Sequence, residues 1–169
     1  LTVCRTKPKV LMAFVEHGFQ PRPNLPDGKP NPDYADMTKL GTGIYRSEDG
    51  GETWRFMNRY NNRPFYYSHI YLNPLDDQIV YVVAGSFFIS RDGGKTLEPQ
   101  STGIHGDYHA LWSDPGNKNR YYIGNDGGTA LTHDQGKSYL FYDNLNLSQF
   151  YAVGADTRDP YWVYGGLQD

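Results

Sequence analysis

An eight-residue pattern returns three times along the chain at almost constant spacing. Ser47-Glu48-Asp49-Gly50-Gly51-Glu52-Thr53-Trp54 is followed 43 residues later by Ser90-Arg91-Asp92-Gly93-Gly94-Lys95-Thr96-Leu97. After a further 42 residues comes Thr132-His133-Asp134-Gln135-Gly136-Lys137-Ser138-Tyr139. All three fit Ser/Thr, any, Asp, any, Gly, any, Thr/Ser, then an aromatic or Leu. Copies held in register at one spacing mean that a single supersecondary unit is repeated. The residue types suit a hairpin turn. Short hydroxyl and carboxylate side chains bond the turn's own backbone, and Gly supplies positive φ. Ser47, Asp49, Gly51 and Trp54, Ser90, Asp92 and Gly94, and Thr132, Asp134 and Gly136 therefore read as structural. The last residue of each box is expected to open the next strand and pack into the sheet.

Two further strands precede each box. In the second repeat they span Tyr67 to Leu72 and Ile79 to Ala84, and in the third His109 to Ser113 and Arg120 to Gly124. Asn73-Pro74 and Asp114-Pro115 punctuate the turns between them. Short third strands (43–47, 87–90, 129–132) lead into the boxes. Four strands in about 42 residues is the period of a β-propeller blade. The expected fold is all-β, with four-stranded antiparallel meanders making about three and a half blades of a larger propeller. The blades are expected at 1–60, 61–102, 103–146 and 147–169, the last truncated. The first carries an insertion, 17–40, that holds five of the eleven prolines. A loop of that length is usually functional or poorly ordered. An arc of three and a half blades leaves sheet faces open, so further sequence or a second chain is expected to complete the ring.

Composition agrees with a turn-rich β protein. There are 19 Gly and 11 Pro, and 15% of residues are aromatic. A net charge of −3 gives no reason to expect a nucleic-acid or anionic-membrane partner. The single Cys4 excludes an internal disulfide framework and reads as a buried, inert thiol. No apolar run is long enough to span a bilayer. No signal peptide is visible at the N-terminus. Gly-rich phosphate loops and nucleophile elbows are absent, and no cofactor is implied.

Strand parity sorts the turns. In a four-stranded meander the turns after strands one and three share one end, so the boxes sit with Asn73-Pro74 and Asp114-Pro115. The strand-two turns and the crossings between blades share the other end, where a ligand is expected. There, His105-Gly106-Asp107-Tyr108-His109 in extended backbone would put three polar side chains on one side. Three readings stay open for His105, Asp107 and His109: a hydrogen-bonded network, a ligand or catalytic role, or a divalent metal site. Asn125 and Asp126 occupy a strand-two turn as turn formers or site residues, and Gln168 and Asp169 occupy the corresponding turn one blade on. His69, Ser68, Gln149 and Tyr151, with Tyr66, Tyr67 and Tyr108, complete the rim.

The boxes, together with the runs 109–115 (HALWSDP), 123–128 (IGNDGG) and 161–169 (YWVYGGLQD), resemble bacterial BNR/Asp-box repeat proteins. That group includes sortilin-type and glycosyl-hydrolase-like propellers, many of them large exported chains. The resemblance covers the chain outside the insertion and implies an extracytoplasmic location. It implies three functions: a binding or interaction propeller for a glycan or peptide, a xyloglucanase-like glycoside hydrolase, or a structural or assembly subunit. A hydrolase would act through Asp126, Asp107 and Asp169, with carboxyls about 5–5.5 Å apart for retention or 6.5–9.5 Å for inversion. Asp126 is the best single catalytic candidate, because xyloglucan-hydrolysing relatives carry an acid in a similar turn. A sialidase is disfavoured, since Arg63 is the only arginine near the rim outside the insertion.

Overall fold

A computed structural model describes residues 1–17, 22–36, 41–61, 66–145 and 150–167. The described residues form fourteen strands and one helical turn. The first sheet holds β1 (Thr2–Val3), β2 (Leu11–Val15), β3 (Gly43–Ser47) and β4 (Arg55–Asn58). The second holds β5 (His69–Leu72), β6 (Val80–Val83), β7 (Phe87–Ser90) and β8 (Glu98–Pro99). The third holds β9 (Tyr108–Ser113), β10 (Tyr121–Asn125), β11 (Gly128–Thr132) and β12 (Leu140–Phe141). All three are antiparallel meanders in chain order. A two-stranded sheet, β13 (Phe150–Ala155) and β14 (Val163–Leu167), follows.

The middle sheet is buried on both faces. Val80 and Val82 of β6 join Met12, Ile44 and Met57 of the first sheet in one core. The alternate residues Tyr81 and Val83 join Phe87, Tyr108, Tyr121 and Ile123 in a second core, against the third sheet. Continuous apolar runs of this kind belong to strands covered on both sides. Each such side chain contributes about 1.5–3 kcal/mol of burial. Side-by-side stacking of twisted meanders is thereby fixed by the period-two pattern of β6.

Polar straps reinforce both contacts. Arg46, 3% exposed in its side chain, donates from Nη1 to the Asp77 carbonyl at 2.8 Å and pairs through Nη2 with the Asp77 carboxylate. Asn73 Nδ2 donates to the Tyr81 hydroxyl and to the Lys118 carbonyl, both at 2.9 Å. Cys4 is buried, with its Sγ 3.7 Å from the Asn73 carbonyl.

Two expectations are corrected. Trp54 does not open a strand or pack into the core: β4 starts at Arg55, and Trp54 is 39% exposed. Its indole Nε1 instead donates to the Gly51 carbonyl at 3.0 Å. Leu97 and Tyr139 likewise stand just before β8 and β12 and do not open them, but they do pack, each against the core shared with the preceding sheet. The outer side of the first sheet has no such neighbour among the described residues. The insertion, read as irregular loop, contains a helical turn, α1 (Pro32–Ala35). Asn31 Oδ1 caps it by accepting from Asp33 N at 3.0 Å, and Pro32 fits the first helical position. Arg59 holds this turn to the first sheet. Its Nη2 donates to the Asp36 carbonyl at 2.6 Å, and its guanidinium lies over the Tyr34 and Phe56 rings.

Candidate functional site

The two ends of each sheet differ in construction. At one end every box closes on itself. Ser47 Oγ accepts from Gly51 N at 2.9 Å and donates to Asp49 Oδ1 at 2.8 Å. Asp49 in turn accepts from Thr53 N at 3.0 Å. Ser90, Asp92, Gly94 and Thr96 repeat the scheme, as do Thr132, Asp134, Gly136 and Ser138. These bonds favour the ionised carboxylate. Those from Thr53 and Ser47 hold Asp49 well below the usual range, and those from Ser138 and Thr132 hold Asp134 at about 2. Desolvation works against Asp92, but the bonds from Thr96 and Ser90 outweigh it and its pKa is lowered. Each box also abuts the strand-one turn of its own sheet: Gly50 N donates to Lys9 O, Gly93 N to Gln78 O and Gln135 N to Asn119 O.

At the opposite end, polar and aromatic side chains from two sheets converge. The link between them is backbone: Asp107 N and Tyr108 N donate to Gly85 O and Ala84 O, in the β6–β7 turn. The strand β9 carries a bulge. Tyr108 pairs with Asn125 and Ala110 with Gly124, which leaves His109 unpaired. A bulge re-aims the extra side chain. Here His109 Nε2 meets Asp126 Oδ1 at 2.8 Å, and its ring lies on Tyr67, with centroids 4.2 Å apart. The Tyr67 hydroxyl donates to Asp107 Oδ1 across the sheet-to-sheet boundary. Asn125 Nδ2 donates to the His105 carbonyl, while Asn125 Oδ1 is buried without a partner.

His105, Asp107 and His109 do not project together. Asp107 has φ +53°, and strand geometry begins only at Tyr108, so period-two alternation does not apply. His105 Nδ1 lies 3.2 Å from the Gly106 carbonyl, Asp107 turns to Tyr67, and His109 turns to Asp126. Among the described residues no three His, Cys, Asp or Glu side chains gather to hold a metal ion. His69 is exposed at the start of β5, its ring 6.3 Å from Tyr71. Tyr151 is 77% exposed on β13. Gln149, Gln168, Asp169 and Arg63 lie outside the described residues. The role of Arg59 was not visible in the sequence, because nothing local marks an arginine that anchors an insertion more than twenty residues upstream.

Comparison with solved structures follows this geometry. A GH74 xyloglucanase from Xanthomonas campestris matches over 99% of this chain and 29% of its own, with 12% identity and a TM-score of 0.51. The fold is that of β-propeller blades. A structure described as YCF48 bound to D1 peptide also matches, over 63% of this chain and 36% of its own, with 16% identity and a TM-score of 0.47. The chain thus spans about a third of the length of the solved structures it matches. No protein-family model and no curated protein matches it. Among the described residues no helix is long and apolar enough to cross a membrane.

Proposed function

We propose that the chain is a binding or interaction segment of an Asp-box propeller, sortilin-like in general form. In this reading it belongs to a larger extracytoplasmic protein or assembly and holds a peptide or glycan at the end opposite the boxes. The supporting observation is the commitment of its two described candidate acids. Asp126 is held by His109 and Asp107 by Tyr67, in a chain of contacts that joins the second and third sheets. A hydrolase needs one carboxyl kept protonated as general acid and another aimed across a cleft. Carboxylates that accept from an imidazole and a phenol serve instead to orient a rim of rings and donors. Asp107, Asp126, His109 and Tyr67 are the residues on which binding is expected to depend. The boxes supply the rigid frame.

The test is a screen of the full-length protein against peptide and oligosaccharide libraries, read by surface-immobilised binding. His109→Ala and Asp126→Asn are each expected to weaken the captured ligand about tenfold, equivalent to about 1.4 kcal/mol. Their far-ultraviolet spectra are expected to match the parent. Release of reducing sugar from xyloglucan by the parent, lost in Asp126→Asn, would replace this reading with the hydrolase.

A further inference from the structure

Each four-stranded sheet ends in a strand that is paired on one side only: β4, β8 and β12. An open strand edge invites pairing with another chain, and folded proteins blunt such edges with charge, proline or a bulge. The first two sheets do so. Opposite Arg46 and Ile89, on the side that faces the next sheet, β4 carries Arg55 and β8 carries Glu98. Beyond Arg55 the ladder slips, so that Tyr45 pairs with Phe56 but Ile44 with Asn58. Beyond Glu98 comes Pro99, which has no N–H to offer a further strand.

The third sheet has none of these devices. Leu140 stands opposite Leu131, where the other sheets have Arg55 and Glu98, and Phe141 takes the place of Pro99. Tyr142 N donates inward to Thr129 O, just as Gln100 N donates to Phe87 O. Alternation along an antiparallel ladder then turns the backbone of the preceding residue outward. In the second sheet that residue is Pro99. In the third it is Phe141, whose N–H and C=O meet no partner among the described residues. The side chains are open as well, Leu140 being 58% and Phe141 37% exposed. A neighbouring sheet leaves this position uncovered: the Arg55 side chain is 62% exposed beside the second sheet, and that of Glu98 55% beside the third.

We propose that β12 is a docking edge that takes up an extended segment of a partner protein as a fifth strand. The segment is uncharged and apolar at alternate positions. Its backbone exchanges N–H and C=O bonds with Phe141, and its alternate side chains lie against Phe141 on one face and Leu140 and Tyr142 on the other. A second copy of this chain fits less well. Leu140, Phe141 and Tyr142 are far fewer than the roughly 20–30 residues a side of a stable protein interface, whereas strand addition draws mainly on main-chain bonds. The edge lies across the sheet from β9, so it is separate from the rim around His109.

The probe is a short fluorescein-labelled peptide of alternating valine and threonine, capped at both ends and titrated into the full-length protein by anisotropy. Saturable binding is expected. Leu140→Glu and Phe141→Pro, which install the second sheet's residues at the matching positions, should each weaken it at least tenfold. Arg55→Ala, on the outer strand of the first sheet, should leave it unchanged. Methylating alternate backbone amides of the peptide blocks pairing without altering the protein, and should abolish binding. Hydrogen exchange read by mass spectrometry over the segment containing Phe141 should slow when the peptide is added. No saturable binding, equal affinity for the methylated peptide, or undiminished affinity in Leu140→Glu overturns the proposal. So does exchange at Phe141 that is already slow without peptide, which would mean that a second copy or the protein's own chain covers the edge.

Discussion

Replacing Arg46 by Met isolates the strap between the first two sheets. Register places Arg46 opposite Met12, as Ile89 stands opposite Tyr81. It thus fills a position that the second sheet gives to a buried aliphatic residue. Its guanidinium is 3% exposed and meets the Asp77 carboxylate, itself 8% exposed. Removing one partner of a buried pair costs about 3–5 kcal/mol, because the other charge stays behind without its counter-ion. Lys7 Nζ, 2.5 Å from Asp77 Oδ1 and largely in water, retains part of that compensation. The expected loss for Arg46→Met is therefore near the lower bound, about 3 kcal/mol. Adding Asp77→Asn removes the stranded charge, and the double variant is expected to recover about 2 kcal/mol of it. Urea unfolding of the four proteins at pH 7, followed by fluorescence, measures the cycle. A single-variant loss below about 1 kcal/mol, or strictly additive losses, would show that apolar packing alone joins these sheets.

Ser90→Ala leaves Gly94 N–H buried with no acceptor and should cost about 1–3 kcal/mol in thermal or urea unfolding. Gly94→Ala should be worse than Gly50→Ala. Both sites have positive φ, but a Cβ at Gly94 would sit 2.7 Å from Met12 Cε, whereas at Gly50 it meets nothing within 4 Å. Acid should destabilise the fold in a defined window. Asp134 is held at about 2 by its bonds from Ser138. Burial raises Asp77, but Lys7 and Arg46 outweigh this and hold it at about 2 as well. A depressed carboxyl pKa contributes stability above the unfolded value of about 3.9, lost as pH falls through the folded one. Melting temperatures should therefore hold down to about pH 4 and then drop towards pH 2. A flat profile across that window would contradict the box hydrogen bonding.

The repeat was legible because its chemistry is local. Ser90, Asp92 and Gly94 bond one another within five residues, so spacing alone reveals the turn, and the strand Phe87–Ser90 is placed by leading directly into it. What failed depends on neighbours or on single dihedral angles. Asp107 adopts positive φ despite having a side chain, and the bulge that frees His109 arises from pairing with β10; neither leaves a periodic trace. Trp54 matches Leu97 and Tyr139 in sequence, but among the described residues no sheet covers it as the preceding sheets cover those two. The helical turn after Asn31 was within reach, since Asn-Pro-Asp is a helix-start signal that the density of prolines obscured.

Because each box meets its donors and acceptors within itself and the strand-one turn of its own sheet, that corner is completed inside a single unit. Such a hinge pin travels with its unit when a gene segment is copied or lost, and the copy folds without renegotiating that corner. Gln135 illustrates the latitude. It stands in the third box where the others have Gly50 and Gly93, at φ +60°, with its amide nitrogen tied to Tyr81 and Lys118. Duplicated units can thus drift apart at the far edge, where a ligand is proposed to bind, while the near edge keeps the tally of turns.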